Sequence, residues 1–113
     1  FILKTEDGGQ HWERQVNTPG SHEGEINFAA SNTCIEYLPS GEIHIVTGGS
    51  KSRILSSMDD GKSWNYFETP ALTGASAGLF SVNFSTANKG VAVGGDFNDP
   101  GLSGYNITCY HNL

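Results

Sequence analysis

Apolar and polar positions alternate with a period of two in the clearest stretches of this chain, and no stretch shows a helical period. Over residues 42–47, Ile43, Ile45 and Thr47 share one side. That pattern predicts a half-buried strand with His44 turned outward as a polar alternate. Strands are likewise predicted over 2–5, 11–16, 32–38, 52–58, 62–68, 79–85, 90–95 and 105–111. Turn residues punctuate them: Asp7-Gly8-Gly9, Pro39-Ser40-Gly41, Gly48-Gly49-Ser50-Lys51 and Asp59-Asp60-Gly61. An Asp-Gly pair between two short β-prone runs is a strong hairpin signal. Longer stretches with Pro or Gly, over 17–31, 69–78 and 96–104, read as loops.

One eight-residue pattern occurs twice. Thr5-Glu6-Asp7-Gly8-Gly9-Gln10-His11-Trp12 and Ser57-Met58-Asp59-Asp60-Gly61-Lys62-Ser63-Trp64 both read hydroxyl, any, Asp, any, Gly, any, any, Trp. Each follows an Ile-Leu pair, and the copies lie 52 positions apart. Gly48-Gly49 and Gly94-Gly95 mark a second repeated place. A period of this size belongs to stacked supersecondary units, propeller blades among them. Residues 1–16 read as the end of one blade, 32–68 as a full four-stranded blade and 79–113 as an incomplete one. The expected fold is all-β, a β-propeller fragment of about two to three four-stranded antiparallel blades. Propellers close with about 4–8 blades, so either further blades in a longer chain or copies in an oligomer are expected to complete the ring. The chain begins at Phe1 rather than Met, which points to a missing or processed N-terminus.

Composition narrows the function. The 113 residues are 36% hydrophobic and 16% charged, with 15 glycines, which is globular and turn-rich. The net charge is −6, from 6 basic and 12 acidic residues, which argues against nucleic acid as a partner. No apolar run approaches the roughly 20 residues of a membrane span. Cys34 and Cys109 are too few for a disulfide scaffold or a zinc site and read as two buried thiols, with a bridge as the alternative.

The repeated octapeptide resembles the Asp-box, or BNR repeat, of β-propeller proteins, and the resemblance covers nearly the whole chain. It implies structural roles for Thr5, Asp7, Gly9 and Trp12, and for Ser57, Asp59, Gly61 and Trp64. The Asp would accept turn hydrogen bonds, the Gly would take a positive φ, and the Trp ring would be buried between blades. His11 stands where Ser or Thr is common. Phe80-Ser81-Val82-Asn83-Phe84, then Asn88-Lys89-Gly90-Val91-Ala92-Val93-Gly94, look most like the photosystem II stability and assembly factors of this group. Sialidases, other glycoside hydrolases and sortilin-like receptors also carry the motif.

Sialidase chemistry would need three arginines, a Tyr–Glu pair and an acid Asp; this chain has only Arg14 and Arg53. Glu23 and Glu25 share one loop and Asp96 and Asp99 another, and carboxylates in loops are mostly solvated. No nucleophile elbow, phosphate cradle or paired histidine spacing occurs. Asp96-Phe97-Asn98-Asp99 offers oxygen ligands but lacks the spacing of a calcium loop. Asn83-Phe84-Ser85 and Asn106-Ile107-Thr108 match the glycosylation pattern but fall in predicted strands. No catalytic residue, metal site or cofactor is therefore expected. The three long loops would lie on one face of the blades, where binding usually sits. His22, Glu23, Glu25, Asp96, Asn98 and Asp99 are the candidates there. The expected function is a non-catalytic, assembly-factor-like scaffold that binds a protein or carbohydrate partner. The alternative is part of a glycoside hydrolase with catalytic residues outside this chain. By resemblance the location is extracytoplasmic.

Overall fold

The computed structural model describes residues 1–111; the last two positions of the 79–113 unit lie outside the described residues. The fold is all-β, with antiparallel pairing throughout and one 3-10 turn at Ala29–Ser31. The first hairpin joins β1 (Leu3–Lys4) to β2 (Glu13–Arg14), with Leu3 opposite Arg14. A four-stranded sheet runs in the order β4 (Ile35–Tyr37), β5 (Ile43–Val46), β7 (Arg53–Ser57), β8 (Asn65–Glu68). A five-stranded sheet runs β11 (Ile107–His111), β10 (Lys89–Asp96), β9 (Gly74–Thr86), β6 (Gly48–Gly49), β3 (Glu25–Ile26).

Cross-strand partners share a face, so the register shows where each side chain goes. Ile35, Ile45 and Leu55 are successive partners across β4, β5 and β7. With Ile43 they face the β1–β2 hairpin, and Ile2 and Trp64 pack on them. Val46 and Ile54 are partners on the opposite face. They meet Leu79, Val82, Phe84 and Ala92 of the five-stranded sheet in the main core, beside Cys34 and Ala71.

Because β5 is covered on both faces, His44 is fully buried rather than turned outward. Its ring stacks on Phe84 at 3.6 Å between centroids, nearly parallel. Its Nδ1 lies 2.9 Å from Ser56 Oγ. The alternation in residues 42–47 had the right period, but a strand between two layers has no outward side.

Gly48 and Gly49 form strand β6 rather than a turn, and pair with both β3 and β9. A Cβ on Gly48 would stand 2.7 Å from Gly78 Cα, and one on Gly94 would run into Gly78 O. Three glycines thus let β6, β9 and β10 cross at backbone contact. The expected loop at 17–31 contains β3 and the 3-10 turn, and the loop at 69–78 ends at Gly74, where β9 begins. Both cysteines are free. Cys34 is buried, but Cys109 is exposed, opposite Val91 on the uncovered face of the five-stranded sheet. Trp12 is also exposed, at 58%, while Trp64 is half-buried. The hairpin carries no second layer over Trp12 among the described residues. No helix among these residues is long and apolar enough to cross a membrane.

Candidate functional site

The two octapeptides form turns with the same hydrogen bonds. Thr5 Oγ1 accepts from Gly9 N at 2.9 Å, and Ser57 Oγ accepts from Gly61 N at 2.8 Å. Each hydroxyl donates to its Asp, at 2.9 and 3.0 Å. Asp7 Oδ1 then accepts His11 N at 2.9 Å, as Asp59 Oδ1 accepts Ser63 N at 2.8 Å. The second oxygen differs only in its donor. Ser63 Oγ donates to Asp59 Oδ2 at 2.6 Å, and His11 Nδ1 fills that role for Asp7. Trp12 Nε1 donates to Gly9 O and Trp64 Nε1 to Gly61 O, at 3.0 and 3.1 Å. Gly9 and Gly61 have φ of 94° and 84°, a region open to glycine at little cost. Bonds from the His11 backbone and ring lower the Asp7 pKa. Bonds from the Ser63 hydroxyl and backbone do the same for Asp59. All these donors stabilise the ionised carboxylate and hold the turn closed.

The turns are also tied to each other. Lys4 Nζ reaches Asp60 Oδ2 at 2.7 Å, and Tyr37 OH donates to Asp60 Oδ1 at 3.1 Å. Asn17 Nδ2 donates to Lys62 O at 3.2 Å.

The long segments converge on one another. Glu25 takes a bidentate grip from Arg53, with Nε to Oε1 and Nη2 to Oε2 both at 2.7 Å. Thr47 Oγ1 and His22 N add bonds at 2.8 and 2.9 Å, and His22 Nδ1 sits 3.2 Å away. Both charged side chains are almost completely buried. Arg53 also donates to Gly20 O at 2.8 Å and lies over the Tyr66 ring at 4.9 Å. Burial would raise the Glu25 pKa, but the bonds from Arg53, His22 and Thr47 outweigh it and lower it to about 2. Glu25 is therefore a fastener for the 17–31 segment and not a free binding group, and His22 serves it. Glu23 is exposed, and its carbonyl accepts Ser50 Oγ at 2.6 Å.

In the third segment, Asp96 Oδ1 accepts Ser76 Oγ at 2.6 Å and Asn98 N at 2.9 Å. These bonds, with one from Asp99 N, lower its pKa. Asn98 and Asp99 are exposed beside it. Phe97 N donates to Ser76 O, and Leu72 N to Tyr105 O, so the 69–78 and 96–104 stretches are linked. Phe28 joins the 17–31 segment to them, edge-on to Phe80 at 4.8 Å and to Phe97 at 5.9 Å. Phe97 and Tyr105 remain 60% and 70% exposed.

No group of three or more His, Cys, Asp or Glu side chains is placed to hold a metal among the described residues. Hydrogen bonds hold the Glu25 and Asp96 carboxyls below their ordinary pKa, away from general-acid range. No protein-family model, curated protein or solved structure matches the chain.

Sequence reasoning missed Arg53, Thr47 and Ser76, whose side chains fix the loops. Arg53 carried a signal: it is a lone cation at the head of Ile54-Leu55 in a strand pattern. A buried Arg needs a buried carboxylate, and Glu25 was available. The Ser76–Asp96 bond has no comparable trace.

Proposed function

We propose that this chain is part of an Asp-box β-propeller that acts as a non-catalytic scaffold, binding a protein or glycan partner through its loop face. One observation carries the reading. The 17–31, 69–78 and 96–104 segments meet around Phe28, Ser76 and Asp96, fixed by hydrogen bonds that leave Phe97 and Tyr105 exposed. A rigid loop surface with exposed aromatics binds with little ordering cost. The matching turn geometry supports the propeller part of the proposal, because each turn does structural work with its Asp. Likeness to assembly factors favours a protein partner and an exported setting.

The test is a double substitution, Phe97→Ala with Tyr105→Ala, in the protein used as bait against extracts and glycan arrays. Captured partners should be lost while the melting temperature holds. Turnover of aryl glycosides above the buffer rate would instead identify a hydrolase.

A further inference from the structure

Glu36, His44 and Ser56 are successive cross-strand partners on β4, β5 and β7. Their side chains therefore share the face that meets the five-stranded sheet. Glu36 bridges the two layers. Its Oε2 accepts Phe84 N at 2.7 Å, and its Oε1 accepts Asn83 Nδ2 at 2.9 Å. Val82 N donates to Thr33 O at 3.0 Å beside them. These bonds tie the 82–84 stretch of β9 to β4.

His44 lies against this tie, fully buried, with its ring flat on Phe84 at 3.6 Å. Nδ1 is 2.9 Å from Ser56 Oγ, but Nε2 is buried with no partner among the described residues. Whichever tautomer the neutral ring adopts, the charged ring carries an N–H at Nε2 with nothing to accept it. A buried imidazolium needs an acceptor. Burial opposes the charged ring, while Glu36 from β4 and Glu42 at the head of β5 favour it. β7 faces the ring with Ser56 and β9 with Phe84, neither of them charged. Tyr110 of β11 lies 5.7 Å from the Phe84 ring. Directly opposed side chains start about 5 Å apart at Cβ, so Glu36 is the acceptor within reach. Turning to His44 carries its carboxylate off the Phe84 amide. A cleft of about 270 Å³ beside the stack, lined by Ser56, Phe67, Phe84 and Tyr110, gives the Phe84 ring room to move.

We propose that His44 and Glu36 form an acid-operated latch between the two larger sheets. A proton taken from solvent at His44 Nε2 draws the Glu36 carboxylate off Phe84 N and frees the 82–84 stretch of β9 from β4. The four-stranded sheet stays paired, because its ladder is made by main-chain bonds that neither side chain supplies. The latch lies in the core and does not rest on the loop-face reading.

The test follows amide protection in the 15N-labelled chain by hydrogen exchange at pH 7.5 and 5.5. A histidine that is neutral when closed and ordinary when open makes opening about tenfold more favourable across that interval. Glu36 adds to this by pairing with the charged ring. Protection of the Phe84 amide should therefore fall by more than about tenfold, while the amides of β5 and β7 hold theirs. Glu36→Gln, at a half-buried position, still offers Phe84 N an oxygen and should bring the fall back to about tenfold or less. His44→Phe should abolish it. The latch is overturned if Phe84 protection does not change with pH, or if β5 and β7 lose protection equally. It is also overturned if Glu36→Gln behaves as the wild type, or if His44→Phe keeps the fall.

Discussion

At the scale of single residues, the two matching turns separate what a position requires from what it happens to carry. The seventh position of the pattern supplies a donor to the second Asp oxygen, and Ser63 and His11 both do so. His11→Ser should therefore preserve the first turn and move the melting temperature by less than about 4 °C. Asp59→Ala should lower it clearly, because it strips Ser57, Ser63 and the Ser63 backbone of one shared acceptor. Thermal melts of both variants check the contrast. Glu25 makes a sharper case. Its pKa falls from an ordinary 4.5 to about 2, worth about 3 kcal/mol of stability at neutral pH. The sign follows from the depressed value: the contribution is full above pH 4.5 and is lost as pH falls toward 2. Glu25→Gln leaves Arg53 buried without a counter-charge and should cost about 3–5 kcal/mol. Denaturant melts from pH 7 to 2 should show the wild type converging on the variant.

At the scale of elements, the strand period was legible and the layering was not. Within residues 35–68, β4, β5, β7 and β8 form the four-stranded antiparallel sheet that Pro39-Ser40-Gly41 and the second Asp turn imply, while β6 leaves it for the five-stranded sheet. The strand that looked half-buried is β5, and the error lies in what covers its second face. Period two reports alternation; only the partner sheet decides whether the polar alternate sees water. His44 records the outcome. Burial lowers its pKa, against the pull of Glu36 and Glu42, so the folded chain favours the neutral ring. Stability should fall as pH drops below about 6.5, where the unfolded chain takes up the proton first. His44→Phe should remove that slope, measured by denaturant melts at pH 7.5 and 5.5. The glycine pairs were legible as places of special backbone but not as strands. Gly48 serves a three-way crossing that depends on Gly78, thirty residues away, and no local pattern encodes it. Gly48→Ala should cost at least about 1–3 kcal/mol, as overpacking does, read as a fall in the denaturant midpoint. Unchanged stability would mean the crossing is looser than its backbone contacts imply.

At the scale of the whole molecule, stability is distributed unevenly. The main core lies between the two larger sheets, and β5, β7 and β9 contribute Val46, Ile54, Leu79 and Val82 to it. The hairpin has strands of two residues each, packs through Ile2 and is tethered by Lys4 to Asp60. Regions with few buried contacts open at lower free energy than the core they lean on. Amide exchange should therefore be fastest in β1 and β2 and slowest in β5, β7 and β9. Lys4→Ala should speed exchange in the hairpin further and leave the slow set untouched, since the tether is peripheral to the core. Equal slowing across hairpin and core would mean that the chain opens only as one unit.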